Sequence, residues 1–360
     1  MKKKTIITVL ILFITIFLII FGIFNISKDN NLNNELEDTI VNKENENTEK
    51  DGEKNSEIKN IEKNNFVSYN GWLRIENNIL VNENDEPFRL KGISTHGLQW
   101  YSKFANKEMM KSLKENLDIN LFRIAMYTEE NGYISNSSLI NKVEEIVEYA
   151  KELDMYVIID WHILSDGDPL KHKEEAKIFF EKMSQKYNDY PNVIYEICNE
   201  PNGNVTWEGN IKPYAEEVIS VIRKNSKDSI IIVGTPTWSQ EVDKPANNKI
   251  NDKNTMYALH FYSASHGEWL RERTTEALKS IPIFVSEWGV SDASGNGIID
   301  KEESLKWVEF MNKNNLSYAV WSLSDKNESS ALLIPGASIN NFNDDNLSEA
   351  GKLIKDLINK

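Results

Sequence analysis

Cysteine is almost missing from this chain. Its 360 residues include one, Cys198, so no disulfide can form within it. That cysteine lies in the apolar run VIYEIC, where a thiol packs as a small buried hydrophobe and not as a nucleophile. Positive charge is in deficit: 41 Lys and Arg against 56 Asp and Glu leave a net charge of -15. Phosphates demand a basic surface, so nucleic acid is excluded as a partner. An acidic surface keeps the chain soluble and is compatible with a neutral polymer. A dinucleotide fingerprint is absent too. The first apolar run of the main domain ends in GISTHG, which does not fit G-x-G-x-x-G and so speaks against a doubly wound sheet.

The first 65 residues are of another kind. Three lysines precede an uncharged run from Thr5 to Ser27. Crossing a bilayer takes about 20 apolar residues, and lysines on the N-terminal side hold that end in the cytoplasm. A cleaved signal has an apolar region of about 7–15 residues and small residues at the cut; neither is clear here. Residues 1–27 therefore read as a membrane anchor in preference to a signal segment. Either way the remainder is extracellular, secreted or anchored to the outer face of the cytoplasmic membrane. Residues 28–65 are rich in Asn, Glu and Lys and hold no aromatic. They cannot bury enough apolar surface to offset the entropy of ordering, and they read as a disordered polar linker. One folded domain follows, at 66–360, with no second module and nothing to suggest more than a monomer.

Aromatics are plentiful, with nine Trp and thirteen Tyr. From Phe66 on, short apolar runs alternate with amphipathic helical patterns. The runs are FRLKGIS (88–94), NLFRIAMY (120–127), MYVIIDWH (155–162), NVIYEICNEP (192–201), SIIIVGT (229–235), TMYALHFY (255–262), IPIFVSEWG (281–289) and LSYAVWSLS (316–324). Helical patterns such as LINKVEEIVEYAKEL (139–153) and IKPYAEEVISVIRKN (211–225) lie between most of them. Eight β units with intervening helices predict an α/β fold, a single (β/α)8 TIM barrel. Strands covered on both faces read as continuous apolar runs, as these do.

In such a barrel chemistry collects at the C-terminal ends of the strands. Seven of the eight runs place polar or aromatic residues there: His96, Trp100 and Tyr101; Arg123 and Tyr127; His162; Asn199 and Glu200; His260 and Tyr262; Glu287; Trp321. One such residue could be a satisfied polar group. Seven at the same end are hard to obtain from packing alone. Two glutamates stand out. Breaking a glycosidic bond takes a carboxylic acid to protonate the leaving oxygen and a carboxylate on the other side of the sugar. Glu200, in NEP, and Glu287, in SEWG, come from different sides of one pocket. No lysine cluster accompanies them, and aromatics do.

Four segments in order, GISTHGLQWY (92–101), VIYEICNEP (193–201), ALHFYSASHG (258–267) and FVSEWGVSDASGNG (284–297), resemble glycoside hydrolase family 5, and within it the bacterial endo-1,4-β-glucanases, or cellulases. The resemblance covers residues 66–360. It implies a retaining β-glucan hydrolase without a cofactor, with Glu287 as nucleophile and Glu200 as acid/base. It implies that Asn199 holds the sugar 2-hydroxyl and that Arg123 keeps the nucleophile ionised. His162, His260 and Tyr262 match a polar ring around the cleavage point. His96, Trp100, Tyr101, Tyr127 and Trp321 match glucose subsites. Ala293, Ser294, Lys326, Asn327 and Glu328 match loops on the non-reducing side, and Trp238 an aromatic platform on the leaving-group side. Flat apolar sugar faces suit Trp and Tyr, while hydroxyls need dense polar partners.

Trp161 and Trp288 fit core or site equally well, and Trp207 fits a rim platform or the start of a helix. Residues 292–303, DASGNGIIDKEE, match a calcium loop at Asp292, Ser294, Asn296, Asp300 and Glu303, with Gly297 at the turn. A strand precedes them where an EF-hand has a helix, so the expectation is a sugar-contacting loop and no metal. Mannan, xyloglucan or mixed-linkage glucan are the alternative substrates on the same barrel. A surface protein that binds carbohydrate without cleaving it is the alternative of another class.

Overall fold

The computed structural model describes residues 66–358. The anchor and linker expected at 1–27 and 28–65 lie outside them. A two-stranded antiparallel hairpin comes first, β1 (Arg74–Glu76) and β2 (Ile79–Val81). The sequence reading missed it. Asn77 and Asn78 at its turn have φ of 51° and 63°, the left-handed pair that a tight hairpin turn requires.

Eight parallel strands then close a barrel in chain order: β3 (Lys91–Thr95), β4 (Leu121–Tyr127), β5 (Tyr156–His162), β6 (Val193–Glu196), β7 (Ile231–Val233), β8 (Thr255–Tyr262), β9 (Ile283–Gly289) and β10 (Tyr318–Leu323), with β10 pairing back to β3. This is the expected (β/α)8 fold. Helices α1 (Lys107–Leu117), α2 (Leu139–Glu152), α3 (Lys173–Lys186), α4 (Lys212–Asn225), α5 (Glu268–Ala277), α6 (Lys301–Lys313) and α7 (Glu349–Ile358) follow every barrel strand but β7, after which a turn at Pro236–Ser239 leads to the short helix Asp243–Asn247. Among the described residues no helix is long and apolar enough to cross a membrane.

Side chains alternate between the two faces of each strand, and the two faces do different work. The outward set is apolar along its length. Ile124 on β4, Ile159 and Trp161 on β5, Tyr195 on β6 and Trp288 on β9 all belong to the core between barrel and helices. That settles Trp161 and Trp288 as packing residues. Trp207 is buried in the same core, and its indole N–H donates to the Asn248 carbonyl at 2.8 Å.

The inward set changes character along the barrel axis. At the N-terminal end it is apolar: Leu121, Tyr156, Ile158, Ile194, Met256, Ala258, Phe284 and Ala319 pack with Leu73 and Leu80 of the hairpin segment, which thus plugs the barrel floor. One step further up, the same faces carry Ser94, Arg123, Asp160, Glu196, His260 and Ser286, all buried. The apolar floor supports this polar layer, and the polar layer supports the site.

Candidate active site

A cleft of about 640 Å³ opens at the C-terminal end of the barrel. Of the residues expected to form the site, His96, Trp100, Tyr127, His162, Glu200, Trp238, His260, Tyr262, Glu287, Ala293, Ser294, Trp321, Lys326 and Glu328 line it. Four others stand off it. Arg123 and Asn199 are wholly buried. Tyr101 packs against His96, their ring centroids 4.9 Å apart. Asn327 lines a neighbouring hollow together with Lys326 and Glu328. Glu130, Leu164, Gln240, His266 and Gly295 also line the cleft and were not foreseen.

Glu287 sits in β9. Its Oε1 accepts from the Tyr262 hydroxyl at 2.7 Å, and its Oε2 from Arg123 at 3.2 Å. Arg123 is held as a fork. It donates to Glu196 at 2.7 Å, to Asn199 Oδ1 at 2.7 Å and to Ser94 at 3.2 Å, and it pairs with Asp160 at 3.0 Å. Burial works against its charge, but Asp160, Glu196 and Glu287 outweigh burial and favour the protonated guanidinium.

Glu200 does not lie in a strand. β6 stops at Glu196, and the chain runs on through Ile197–Asn199 to place Glu200 at the cleft floor. The turn after β7 approaches this segment closely. A Cβ on Gly234 would stand 2.2 Å from the Cys198 carbonyl oxygen, so only glycine fits. Thr237, Trp238 and Ser239 then take left-handed φ of 57°, 53° and 58°, a conformation costing non-glycine residues roughly 1–2 kcal/mol each. Hydrogen bonds hold it: Ser239 Oγ donates to the Asn199 carbonyl at 2.7 Å and Trp238 N–H to the Pro201 carbonyl at 3.0 Å. The strained turn thereby fastens the Glu200 loop and leaves Trp238 44% exposed on the cleft wall.

The Glu200 carboxyl lies 3.0 Å from His260 Nδ1. Burial and then the negative charge of Glu287 push its pKa up to about 7, against the opposing pull of His260. Burial works against a charge on His260, yet its contacts with Glu196 and Glu200 outweigh burial and raise it to about 9. His162 goes the other way. Burial and the nearby Arg123 lower it to about 3, so it is a neutral ring held by Asp160 at 2.6 Å and approached by the Asn199 amide at 3.3 Å. His96 is likewise lowered to about 3, by burial and Lys326. His96, His162, Tyr127 and Trp321 form one continuous ring cluster, with His162 stacked 5.3 Å from Trp321. These are neutral, partly apolar surfaces with polar edges, as a sugar needs.

Glu200, His260 and Glu287 each bring a ligand atom within 4.8 Å of the others, alone among the described residues as a group able to grip a cation. A histidine held protonated by two carboxylates opposes that use. The calcium-like loop is spent otherwise. Asp300 caps α6 by accepting the Glu303 N–H at 2.9 Å, Glu303 pairs with Arg271, and Asp292 accepts from Ser294 Oγ at 2.6 Å.

Asp160, Glu196, Ser286 and Ser94 are the polar-layer residues that the sequence reading overlooked. Their signal was present. Asp160 shares a strand face with His162, and Glu196 with Ile194, at the two-residue period of a strand.

Comparison with known proteins agrees with this geometry. Residues 81–327 match the family described as Cellulase (glycosyl hydrolase family 5). Endoglucanase 5 of Pectobacterium carotovorum subsp. carotovorum is 53% identical over 294 residues, which are 81% of this chain and 58% of that protein. Endoglucanase A of Evansella cellulosilytica is 56% identical over 255 residues, 70% of this chain and 52% of that one. The chain thus spans little more than half the length of these curated relatives. Among solved structures, the catalytic domain of Thermobifida fusca endoglucanase Cel5A is 34% identical with a TM-score of 0.79, covering 82% of this chain and 99% of that one. Cellulase Cel5C_n is 41% identical, also with a TM-score of 0.79, covering 82% and 94%.

Proposed function

This chain belongs to glycosyl hydrolase family 5, and on that footing we propose that it hydrolyses internal β-1,4-glucosidic bonds in cellulose and related soluble β-glucans with retention of configuration. The observation that carries the reading is a spacing: one carboxylate oxygen of Glu200 and one of Glu287 lie within 4.8 Å. Oxygens this close are compatible with the carboxyl separation of about 5–5.5 Å that retention through a covalent intermediate uses, whereas inversion uses carboxyl groups about 6.5–9.5 Å apart to seat a water between them.

Glu287 attacks the anomeric carbon as the bond to the departing oxygen breaks, and Glu200 gives that oxygen its proton. A pKa near 7 lets Glu200 hold this proton in neutral solution. Once Glu287 is esterified its charge is gone. Because that charge helps to hold the Glu200 pKa up, Glu200 becomes the stronger acid, stays ionised, and takes a proton from the water that frees Glu287. Arg123 and Tyr262 orient the nucleophile. Asn199, tied to Arg123 and His162 beneath the surface, is available to the 2-hydroxyl only through a shift of its amide. Trp100, Trp238 and Trp321 offer flat faces to successive glucose rings, and Lys326 and Glu328 offer polar edges. The anchor at 1–27 and the linker at 28–65 would hold this domain outside the cell.

Proton NMR of the first product tests the reading. A β anomer is expected, and an α anomer rules retention out. Glu287→Gln is expected to abolish turnover while the fold stays intact. Faster release of sugar from mannan or xyloglucan than from carboxymethylcellulose or lichenan would move the substrate to another β-glycan. Activity that stays with washed cells and is freed by mild proteolysis supports the anchor; activity confined to the cytosol contradicts it.

A further inference from the structure

Glu196 takes no part in the chemistry just described, yet it is wholly buried and touches groups in both halves of the site. Its Oε2 accepts from Arg123 Nε at 2.7 Å, and the same guanidinium donates to Glu287 at 3.2 Å. Its Oε1 accepts from the Ser286 hydroxyl at 2.7 Å and stands 3.7 Å from His260 Nε2. Ser286 Oγ lies 2.9 Å from that nitrogen, and His260 Nδ1 lies 3.0 Å from Glu200 Oε1. Each carboxylate of the proposed mechanism is therefore reached from Glu196 through one cationic side chain.

The donor count fixes the direction of this chain. A carboxylate only accepts, and a serine hydroxyl has one proton to give. Ser286 gives its proton to Glu196, so towards His260 it can only accept, and Nε2 must carry hydrogen. Nδ1 is then the nitrogen left to share a proton with Glu200. Resting on the retaining reading above, we propose that Glu196, acting through Ser286, is a positioning residue: it fixes the protonation and orientation of His260 against Glu200 and, through Arg123, registers the acid/base to the nucleophile.

Charge predicts the sign of its removal. Glu200 is faced by Glu287 from β9, His260 and Tyr262 from β8, and Tyr127 and Arg123 from β4; His260 is faced also by Glu196 from β6. Arg123 holds Glu196 ionised, near 2, against its burial. In Glu196→Gln a negative charge beside the pair is lost, so a proton leaves Glu200 and His260 more readily. The new amide can also donate to Ser286, so the hydroxyl is no longer held in one direction towards Nε2.

The test is the pH profile of kcat/KM on a soluble β-glucan for the full chain and for Glu196→Gln and Ser286→Ala. Glu196→Gln is expected to move the alkaline limb down by about one pH unit, a tenfold change in acidity. Its kcat should fall about tenfold or more, with KM held within about twofold, as for loss of an interaction made in the transition state. Ser286→Ala, which keeps the charge and breaks the link, should lower kcat with a smaller shift of the limb. A uniform loss of activity with the limb unmoved in both variants overturns the proposal, and if Glu196→Gln does not fold, Ser286→Ala decides alone. An α-anomeric first product from the parent enzyme would sink the retaining reading itself; a retaining parent with unmoved limbs sinks only the role of Glu196.

Discussion

Arg123→Lys keeps a positive charge at the centre of the polar layer and removes the planar fork. The native guanidinium makes hydrogen bonds to Glu196, Asn199, Ser94 and Glu287, at 2.7, 2.7, 3.2 and 3.2 Å, and an ion pair with Asp160 at 3.0 Å, with no exposure to solvent. An ammonium has three donors at one point on a longer, thinner stem, and it cannot serve groups on opposite sides of a plane. At least one buried carboxylate therefore loses its partner. A hydrogen bond to a charged group contributes about 1.5–3 kcal/mol, and breaking a buried pair costs about 3–5 kcal/mol. A loss of about 3 kcal/mol is the working figure, which at about 2–4 °C per kcal/mol lowers Tm by about 6–12 °C. Loss of the bond to Glu287 alone predicts a fall in kcat of about 10- to 100-fold. KM should change little, because Arg123 does not line the cleft. Calorimetry and steady-state kinetics on a soluble β-glucan read both quantities. A lysine variant that melts within about 2 °C of the parent and keeps half its kcat would show that charge, not the fork, holds Glu287.

Glu200→Gln should trade activity for stability in a pH-dependent way. The Glu200 pKa is raised in the fold from 4.5 to about 7, so what the group contributes to stability is complete below about 4.5 and lost as pH rises through 7. The amide does not titrate, so the variant should melt above the parent at pH 8, by an amount of at most about 3 kcal/mol, and show no such gain at pH 4; a lower Tm at pH 8 contradicts the assigned shift. Trp238→Ala removes a half-exposed ring, so Tm should hold while KM for cello-oligosaccharides rises several-fold, most for chains that reach the leaving-group side. Equal KM values for short and long oligosaccharides would remove Trp238 from the binding surface. Chelation with EDTA should leave Tm unchanged, because Asp300 and Glu303 already bond within the protein; a fall in Tm reversed by calcium would reopen residues 292–303 as a metal loop.

The barrel was legible because its outward faces are uniformly apolar and its helices amphipathic, and those features recur with every unit. The hairpin before it was missed: the ENNI turn between RI and LV is too short to stand out beside runs of seven or eight residues. Glu200, Glu287 and most cleft residues were found by type and by their place at strand ends, and family likeness sharpened them. The loop that presents Trp238 gave no warning. Positive φ is ordinarily announced by glycine or asparagine, and TPTWSQ has neither; the conformation is imposed by the carbonyls of Asn199 and Pro201, distant in sequence.

The polar layer eluded the reading for a different reason. Arg123 was foreseen, but Asp160 and Glu196 each appear as one charge inside an apolar run, and a run covered on both faces hides its two-residue period. Pairing restores it: Asp160 is the register partner of Glu196 on one side and of Ala125 on the other, and Arg123, two residues before Ala125, reaches both carboxylates with its side chain. Even then the sequence shows three carboxylates, Asp160, Glu196 and Glu287, around one guanidinium, an excess of negative charge that no interior tolerates. The structure offsets part of that excess with a second cation. Burial, reinforced by Glu196 and Glu287, lifts Asp160 well above the ordinary carboxylate range despite Arg123, and His260 is raised to about 9. Two cations, Arg123 and His260, then face the carboxylates of Asp160, Glu196 and Glu287. Loss of the His260 proton would make this cluster more negative and would at the same time change the group that faces Glu200, which couples the stability of the layer to the readiness of the site.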